Sequence, residues 1–188
     1  MKRGLLLIPA VALVVGGCRP GADGLVTPEP VASPTTAAVT GPVAFHVRLN
    51  AGQSITTRPA PSAGCPGLDA RVDLGAAGHV RLAAYASTCS PGDNAQPGNG
   101  RHGVYRTKAD IPAQRSTTEV RTALGEATVF SQPYYECTNS CHNYTEAVAV
   151  IALDKPADPA YPTLVLYAEK GDTTPDRLTA LLRDQLAA

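Results

Sequence analysis

Apolar and polar side chains alternate in short segments of the chain, which is the pattern of strands with one buried face. The clearest case is residues 43–49, where the apolar positions are Val43, Phe45, Val47 and Leu49. Two further apolar segments, residues 71–74 and 80–86, flank the turn sequence Gly75-Ala76-Ala77-Gly78. That arrangement predicts a β-hairpin with a four-residue turn.

A helix is predicted over residues 116–124. Ser116 and Glu119 have the spacing of a capping box at a helix start, and Gly125 would end the helix in the left-handed conformation. The apolar positions on its inward face would be Val120, Ala123 and Leu124.

Three segments after this helix predict strands: residues 127–136, 144–153 and 164–166. Long apolar stretches within the last two favour central strands that are covered on both faces. A final helix begins after Thr174, with Pro175 in its first turn. Its buried face would contain Leu178, Leu181, Leu182 and Leu186.

This order of strands, a helix, three meandering strands and a last helix predicts an α+β fold, an antiparallel sheet with packed helices. One domain would span residues 42–188. In its order of elements, the part over residues 116–188 resembles the Mog1/PsbP-like lipoproteins of some actinobacteria. That resemblance implies binding or scaffolding roles rather than one particular chemistry.

The N-terminus has the pattern of an export signal. Lys2-Arg3 precedes a largely apolar segment over residues 5–15, which is too short to cross a bilayer and is typical of a secretory signal peptide. Gly16-Gly17 then leads directly into Cys18, and this resembles the lipobox of bacterial lipoproteins. The resemblance implies removal of residues 1–17, a diacylglyceryl anchor on the Cys18 thiol and a place on the outer face of the cell membrane. An ordinary signal peptide with an incidental cysteine is the alternative.

Residues 18–41 are interpreted as a tether rich in Pro, Thr and Ala. Prolines at positions 20, 28, 30 and 34 interrupt the segment, and its apolar residues follow neither a strand nor a helix period. Such a composition favours a solvated spacer between the anchor and the domain.

The charge pattern does not suggest nucleic-acid binding. The 188 residues contain 16 basic and 16 acidic side chains, and no basic cluster is present. Arginine is used far more often than lysine, which together with the lipobox resembles an actinobacterial envelope protein. The expected partners are therefore the membrane, through Cys18, and an envelope protein, a lipid or a small ligand.

Four cysteines remain after Cys18: Cys65, Cys89, Cys137 and Cys141. An even number in an exported chain predicts two disulfides, and four cysteines allow three pairings. The pairing Cys65–Cys89 with Cys137–Cys141 is favoured, since local folding can bring each pair together.

The sequence Cys137-Thr-Asn-Ser-Cys141-His142 resembles a widened form of the motif that attaches haem in c-type cytochromes. Three residues separate the cysteines instead of two, and no second axial ligand stands out. A zinc site would need four ligands at paired short spacings. A disulfide that closes the tip of a hairpin is the favoured interpretation, a thiol–disulfide redox centre is the alternative, and no cofactor or metal is expected.

A glycine-rich loop over residues 87–101 leads into a predicted strand at 102–107. Glycines around His102 would allow a ligand to approach, and Arg101 and Arg106 could pair with a carboxylate or phosphate. The remaining candidate ligand contacts, which are low in specificity, are Tyr105, Tyr134, Tyr135 and Tyr144. Catalysis by His102 would need a partner that orients it, and no nucleophile motif accompanies it.

The sequence therefore favours a non-enzymatic, membrane-anchored binding or interaction module. An envelope enzyme is the alternative. It would be a hydrolase that uses His102 or a redox protein that uses the Cys137/Cys141 pair.

We expect the protein in the membrane fraction to begin at a Cys18 that carries a diacylglyceryl group. Mass spectrometry of the N-terminal peptide tests this, and Cys18→Ser should abolish the acyl mass because serine lacks the thiol. Arg19→Ala, which alters the neighbouring side chain only, should leave the modification in place. An unmodified Cys18, or a mature chain that starts elsewhere, would contradict the prediction.

Overall fold

The computed structural model describes residues 33–59, 65–171 and 173–188. The predicted signal peptide, Cys18 and most of the predicted tether lie outside these residues. The described residues form ten strands and one α-helix, α1 (Pro175–Asp184). The strands are β1 (Thr35–Val39), β2 (Phe45–Leu49), β3 (Ser54–Arg58), β4 (Leu68–Asp73), β5 (His79–Ala84), β6 (Thr117–Arg121), β7 (Gly125–Cys137), β8 (Cys141–Leu153), β9 (Thr163–Ala168) and β10 (Leu186–Ala187).

The strands form two antiparallel sheets. A large sheet has seven strands in the order β3-β4-β5-β9-β8-β7-β6, and a small sheet has the order β1-β2-β10. The predicted α+β class with packed helices is therefore wrong: the fold is β-rich, and α1 is the only α-helix of the described residues.

One face of the large sheet packs against the small sheet and α1. The alternating inward residues of β2 are all buried, as the sequence predicted, and they meet Leu178, Leu181 and Leu182 of α1 in one apolar core. Helix α1 starts where its cap predicts, since the Thr174 hydroxyl accepts from the Arg177 backbone N–H. Leu186 does not continue the helix. It lies in β10, opposite Val47 of β2.

The opposite face of the large sheet is covered by residues 86–116, which we call the cover segment. Tyr105 and Cys89 of this segment are buried against Phe130, Val150 and Tyr167 of the sheet. The central strand β9 is accordingly buried at every position, as its continuous apolar sequence predicts. At the central strands, both faces of the sheet are thus removed from water, one by regular structure and the other by an irregular chain.

The predicted helix over residues 116–124 is absent, because residues 117–121 form β6 and pair with the start of β7. Thr117, Thr118 and Val120 are β-branched, which favours an extended chain. Glu119 does not cap a helix. Its carboxylate accepts from the Thr128 hydroxyl at 2.9 Å and pairs with Lys108 Nζ at 3.0 Å. The element order that suggested the Mog1/PsbP-like proteins began with this helix.

Residues 102–107 do not form the predicted strand. The backbone of Val104 pairs instead with the side chain of Asn94, which donates to the Val104 carbonyl and accepts from the Val104 N–H at 2.7 Å in both cases. An asparagine side chain thus satisfies backbone groups that a neighbouring strand would otherwise pair.

The folded unit also begins earlier than expected. Strand β1 lies within residues 18–41, the range interpreted as a tether, and pairs with β2 along its whole length. The predicted hairpins are confirmed: β4 pairs with β5 across Gly75–Ala77, and β7 pairs with β8 out to the position Cys137↔Cys141.

Both predicted disulfides are present, Cys65–Cys89 and Cys137–Cys141. The first joins the start of β4 to the cover segment, and the second closes the β7–β8 hairpin. Disulfides persist in oxidising compartments, so the pair indicates an extracytoplasmic location. Within the described residues, no helix has the length and apolar character needed to cross a membrane.

Gly125 has a φ of 154° at the start of β7, and a Cβ built there would lie 1.9 Å from the carbonyl oxygen of Ala152. We expect Gly125→Ala to lower the free energy of unfolding by roughly 3–5 kcal/mol, from backbone strain together with this clash. Urea unfolding measures the change.

The matched control is Gly52→Ala, where φ is 78° and no atom lies within 4 Å of the added Cβ. Backbone strain alone should cost about 1–2 kcal/mol there. Equal losses in the two variants would show that the contact with Ala152 is unimportant.

Candidate functional site

A buried chain of hydrogen bonds lies between the cover segment and the large sheet. At its centre is Glu146, which is fully buried. Glu146 Oε1 lies 3.0 Å from His102 Nδ1 and accepts from Gln132 Nε2 at 2.5 Å. Gln132 Oε1 in turn accepts from the Tyr105 hydroxyl. The His102 ring nitrogen and the Glu146 carboxyl group share one proton across this contact. We call these four residues the buried polar chain.

Strand register explains how these side chains meet. Gln132 lies opposite Glu146 in the β7–β8 ladder, and Tyr134 lies opposite Tyr144 one step further towards the hairpin tip. Because side chains alternate between the two faces of a strand, these four point to the face that the cover segment packs on. His102 belongs to the cover segment, and its side chain joins these four on the same face of the sheet.

Aromatic rings hold the imidazole from two sides. The His102 ring stacks on Tyr134, with 5.0 Å between ring centroids, and lies 4.6 Å from the ring of Tyr167. The Tyr167 hydroxyl donates to the Gly103 carbonyl at 2.5 Å. A Cβ at Gly103 would lie 2.7 Å from the Tyr105 hydroxyl, so the glycine beside His102 is required for this close packing.

Burial raises the pKa of four phenols in this region. It is the largest influence on Tyr105, where the nearby charge of Arg115 only partly opposes it, and it raises the pKa of Tyr134 as well. The pKa of Tyr85 and of Tyr167 is raised for the same first reason. All four hydroxyls therefore remain protonated at neutral pH and can act as hydrogen-bond donors.

A surface groove lies directly outside Tyr134. It has a volume of about 300 Å³ and is lined by residues 95–97, 114–115, 133–135 and 143–144. We call it the tyrosine groove, because Tyr134, Tyr135 and Tyr144 all contribute to its wall. Tyr134 connects the groove to the buried polar chain, because its ring stacks on His102 and the residue lines the groove.

No family model, curated protein or solved structure matches this chain.

The structure separates the seven predicted ligand contacts into three groups. Tyr134, Tyr135 and Tyr144 line the tyrosine groove, whereas His102 and Tyr105 lie beneath it in the buried polar chain.

The two arginines lie outside both groups. Arg101 is exposed. Arg106 is held by Asp110 at 2.8 Å and by the Cys89 carbonyl at 3.0 Å, so its guanidinium fixes the cover segment.

Sequence reasoning missed Gln132, Glu146 and Arg115. The signal for the first two was present, because both occupy positions on the same strand faces as the buried Phe130 and Val148. A polar residue that continues a buried face is expected to have a hydrogen-bond partner. Arg115 had no such signal, since only the folded chain brings it to the groove.

The hairpin tip offers no thiol for haem or zinc. Cys137 and Cys141 are joined to each other, and His142 Nε2 lies 2.8 Å from the Ser140 hydroxyl. Within the described ranges, no group of three His, Cys, Asp or Glu side chains is placed to hold a metal ion.

The buried polar chain orients His102 as an acid–base catalyst would require, since its Nδ1 is held by a carboxylate. A nucleophile is also needed, and in the described part of the chain no serine, threonine or cysteine side chain is hydrogen-bonded to His102. The stacked contact between the His102 and Tyr134 rings means that the His102–Glu146 bond also positions Tyr134.

We expect His102 and Glu146 to be strongly coupled in stability. A double-mutant cycle with His102→Ala and Glu146→Ala should give a coupling free energy of about 2–3 kcal/mol, because the bond is buried and joins two ionisable groups. Urea unfolding of the four proteins measures it.

His79 and Asp73 form the matched control, a 3.5 Å pair whose side chains are 35% and 47% exposed. Its cycle should give less than about 1 kcal/mol, since solvent screens the interaction. Similar coupling in the two cycles would show that burial of the His102–Glu146 pair adds nothing.

Proposed function

We propose that this protein is a lipid-anchored binding module on the outer face of the cell membrane, and that the tyrosine groove holds its ligand. The observation that carries the proposal is the position of Tyr134, which lines the groove and is stacked on a histidine fixed by a buried carboxylate.

Rigid support of a binding wall favours affinity, because less side-chain freedom is lost when a ligand arrives. Tyr134 is only 9% exposed, and its ring also faces Tyr144 at a centroid distance of 6.3 Å. The wall is therefore ordered before any ligand binds. Surface tyrosines without such support would lose side-chain conformational entropy on binding.

The lining suits a small molecule with both apolar and polar groups. Tyrosine rings and prolines offer flat apolar contacts, while Gln96, Gln114 and Asn143 offer amide donors and acceptors. A volume near 300 Å³ is at the small end of ligand sites in proteins. Among a protein, a lipid and a small ligand, these dimensions favour the last.

The anchor and tether give the groove a place in the cell. The signal sequence and Cys18 support attachment to the membrane, and the two disulfides support exposure to an oxidising compartment. A module of this kind would stay attached to the membrane and expose its groove to molecules outside the cytoplasm.

The test is a fragment titration of the full-length anchored protein in detergent, with ¹³C-labelled tyrosine observed by NMR. The chain has 7 tyrosines, and those outside the groove, Tyr85, Tyr105, Tyr161 and Tyr167, are internal controls. Small hydroxylated aromatic fragments should shift the ring signals of the groove tyrosines preferentially, because several tyrosines line that cavity.

Tyr144→Ala should weaken fragment binding about tenfold or more, since it removes a partly exposed ring that lines the groove and faces Tyr134. Tyr161→Ala removes a ring elsewhere and should have no effect on binding. Shifts scattered over all seven tyrosines, or equal binding to both variants, would refute the groove as the binding site.

A further inference from the structure

Arg115 enters the tyrosine groove with a positive charge that the described structure does not neutralise. Its Nη2 donates to the Ala95 carbonyl at 2.7 Å, and its Nε is buried without a hydrogen-bond partner. No carboxylate of the described residues lies within salt-bridge distance of it. The guanidinium charge is therefore available to an anion from outside the chain.

The backbone fixes Arg115 where it is. Its N–H donates to the Pro112 carbonyl at 3.0 Å in a tight turn, and the bond to Ala95 ties two parts of the cover segment together. The guanidinium is therefore held at the groove by the same segment that carries His102.

Two acidic residues line other surface depressions that Arg115 also borders, Glu119 in one and Asp176 in another, and neither forms an ion pair with it. Glu119 shares a neighbouring surface depression with Arg115, but its carboxylate is bonded to Lys108 at 3.0 Å and to Thr128 at 2.9 Å. Lys108 also pairs with Glu126 at 2.5 Å. The two carboxylates outnumber this lysine by one, and no ion pair joins either of them to Arg115.

Within the groove, Arg115 is the only charged side chain among the lining residues, and all the others are neutral. A single cation without an opposing anion favours a ligand with one negative charge. The planar guanidinium fork matches a carboxylate, and the tyrosine rings around it can pack on an apolar body.

We infer that the tyrosine groove is a site for a small organic carboxylate, with Arg115 as the residue that recognises its charge. This inference rests on the proposed function, because it names the ligand class of the same groove. The volume limits the ligand to a molecule of a few rings or fewer, and a dianionic phosphate ester would leave one charge unmatched.

The experiment compares three probes of similar shape on the full-length anchored protein: benzoate, neutral benzamide and phenyl phosphate. The ring signals of Tyr134, Tyr135 and Tyr144 report binding. We expect benzoate to bind on the order of tenfold more tightly than benzamide, the effect of one charge-assisted hydrogen bond. The difference should shrink as salt is raised from 20 to about 500 mM.

Two variants test whether Arg115 is the residue that recognises the negative charge of the ligand. Arg115→Gln should bring benzoate down to the affinity of benzamide, and Arg115→Lys should retain part of the preference. Arg101→Gln removes an exposed arginine outside the lining and should leave both affinities unchanged. The signals of Tyr85 and Tyr161 report whether a variant is folded. If Arg115→Gln is unfolded, the salt dependence of benzoate binding to the wild-type protein tests the proposal instead.

The outcomes separate the two proposals. Equal binding of benzoate and benzamide in the groove, or a preference that survives Arg115→Gln, overturns the carboxylate site and leaves the binding groove intact. Tighter binding of phenyl phosphate than of benzoate also overturns it, in favour of a phosphate ligand. If no probe shifts the groove tyrosines, both proposals fail.

Discussion

The Glu146 carboxyl group has no contact with solvent, and a buried polar group is tolerated only where hydrogen bonds replace the lost water. That requirement links the two parts of the structure. Gln132 belongs to the large sheet and His102 to the cover segment, so Glu146 is satisfied only when the segment lies on the sheet. An irregular chain that contributes no strand of its own is thereby held in one arrangement.

Other contacts strengthen this arrangement without replacing it. Cys89 is tied to Cys65 at the start of the cover segment. At the far side of the sheet, the Gly100 N–H donates to the Tyr135 carbonyl at 2.8 Å, and the Asn99 amide donates to the Cys137 carbonyl at 3.0 Å. The disulfide holds the start of the cover segment, and the two hydrogen bonds hold the residues just before His102. The His102–Glu146 bond holds the middle of the segment, and it is there that Tyr134 in the wall of the tyrosine groove is supported.

Sequence patterns predicted those parts of the fold that depend on local chemistry. The alternation in β2, the apolar sequence of β9 and the cap at Thr174 each led to the element that is present. The expected helix over residues 116–124 failed because a capping-box spacing is a weak signal. Two threonines and a valine outweighed it, and the start of β7 offered them a partner strand.

The cover segment could not be predicted, because its backbone groups are satisfied by residues far away in sequence. Val104 is paired by the side chain of Asn94, and the Thr163 hydroxyl donates to the Tyr105 carbonyl at 3.0 Å. For the site, the tyrosines were identified as candidates, but their support was not. Glu146 was treated as part of a strand, and Arg115 drew no attention, since long-range packing alone gives these residues their surroundings.

The position of β1 has a mechanical consequence. Under the proposed anchoring, a pull from the membrane enters the domain at Thr35, and the first resistance it meets is the pairing of β1 with β2. Those backbone bonds belong to the small sheet, whereas the tyrosine groove is built on the large sheet and its cover. Tension on the tether could therefore detach β1 and lengthen the reach of the protein while a molecule held in the groove keeps its contacts.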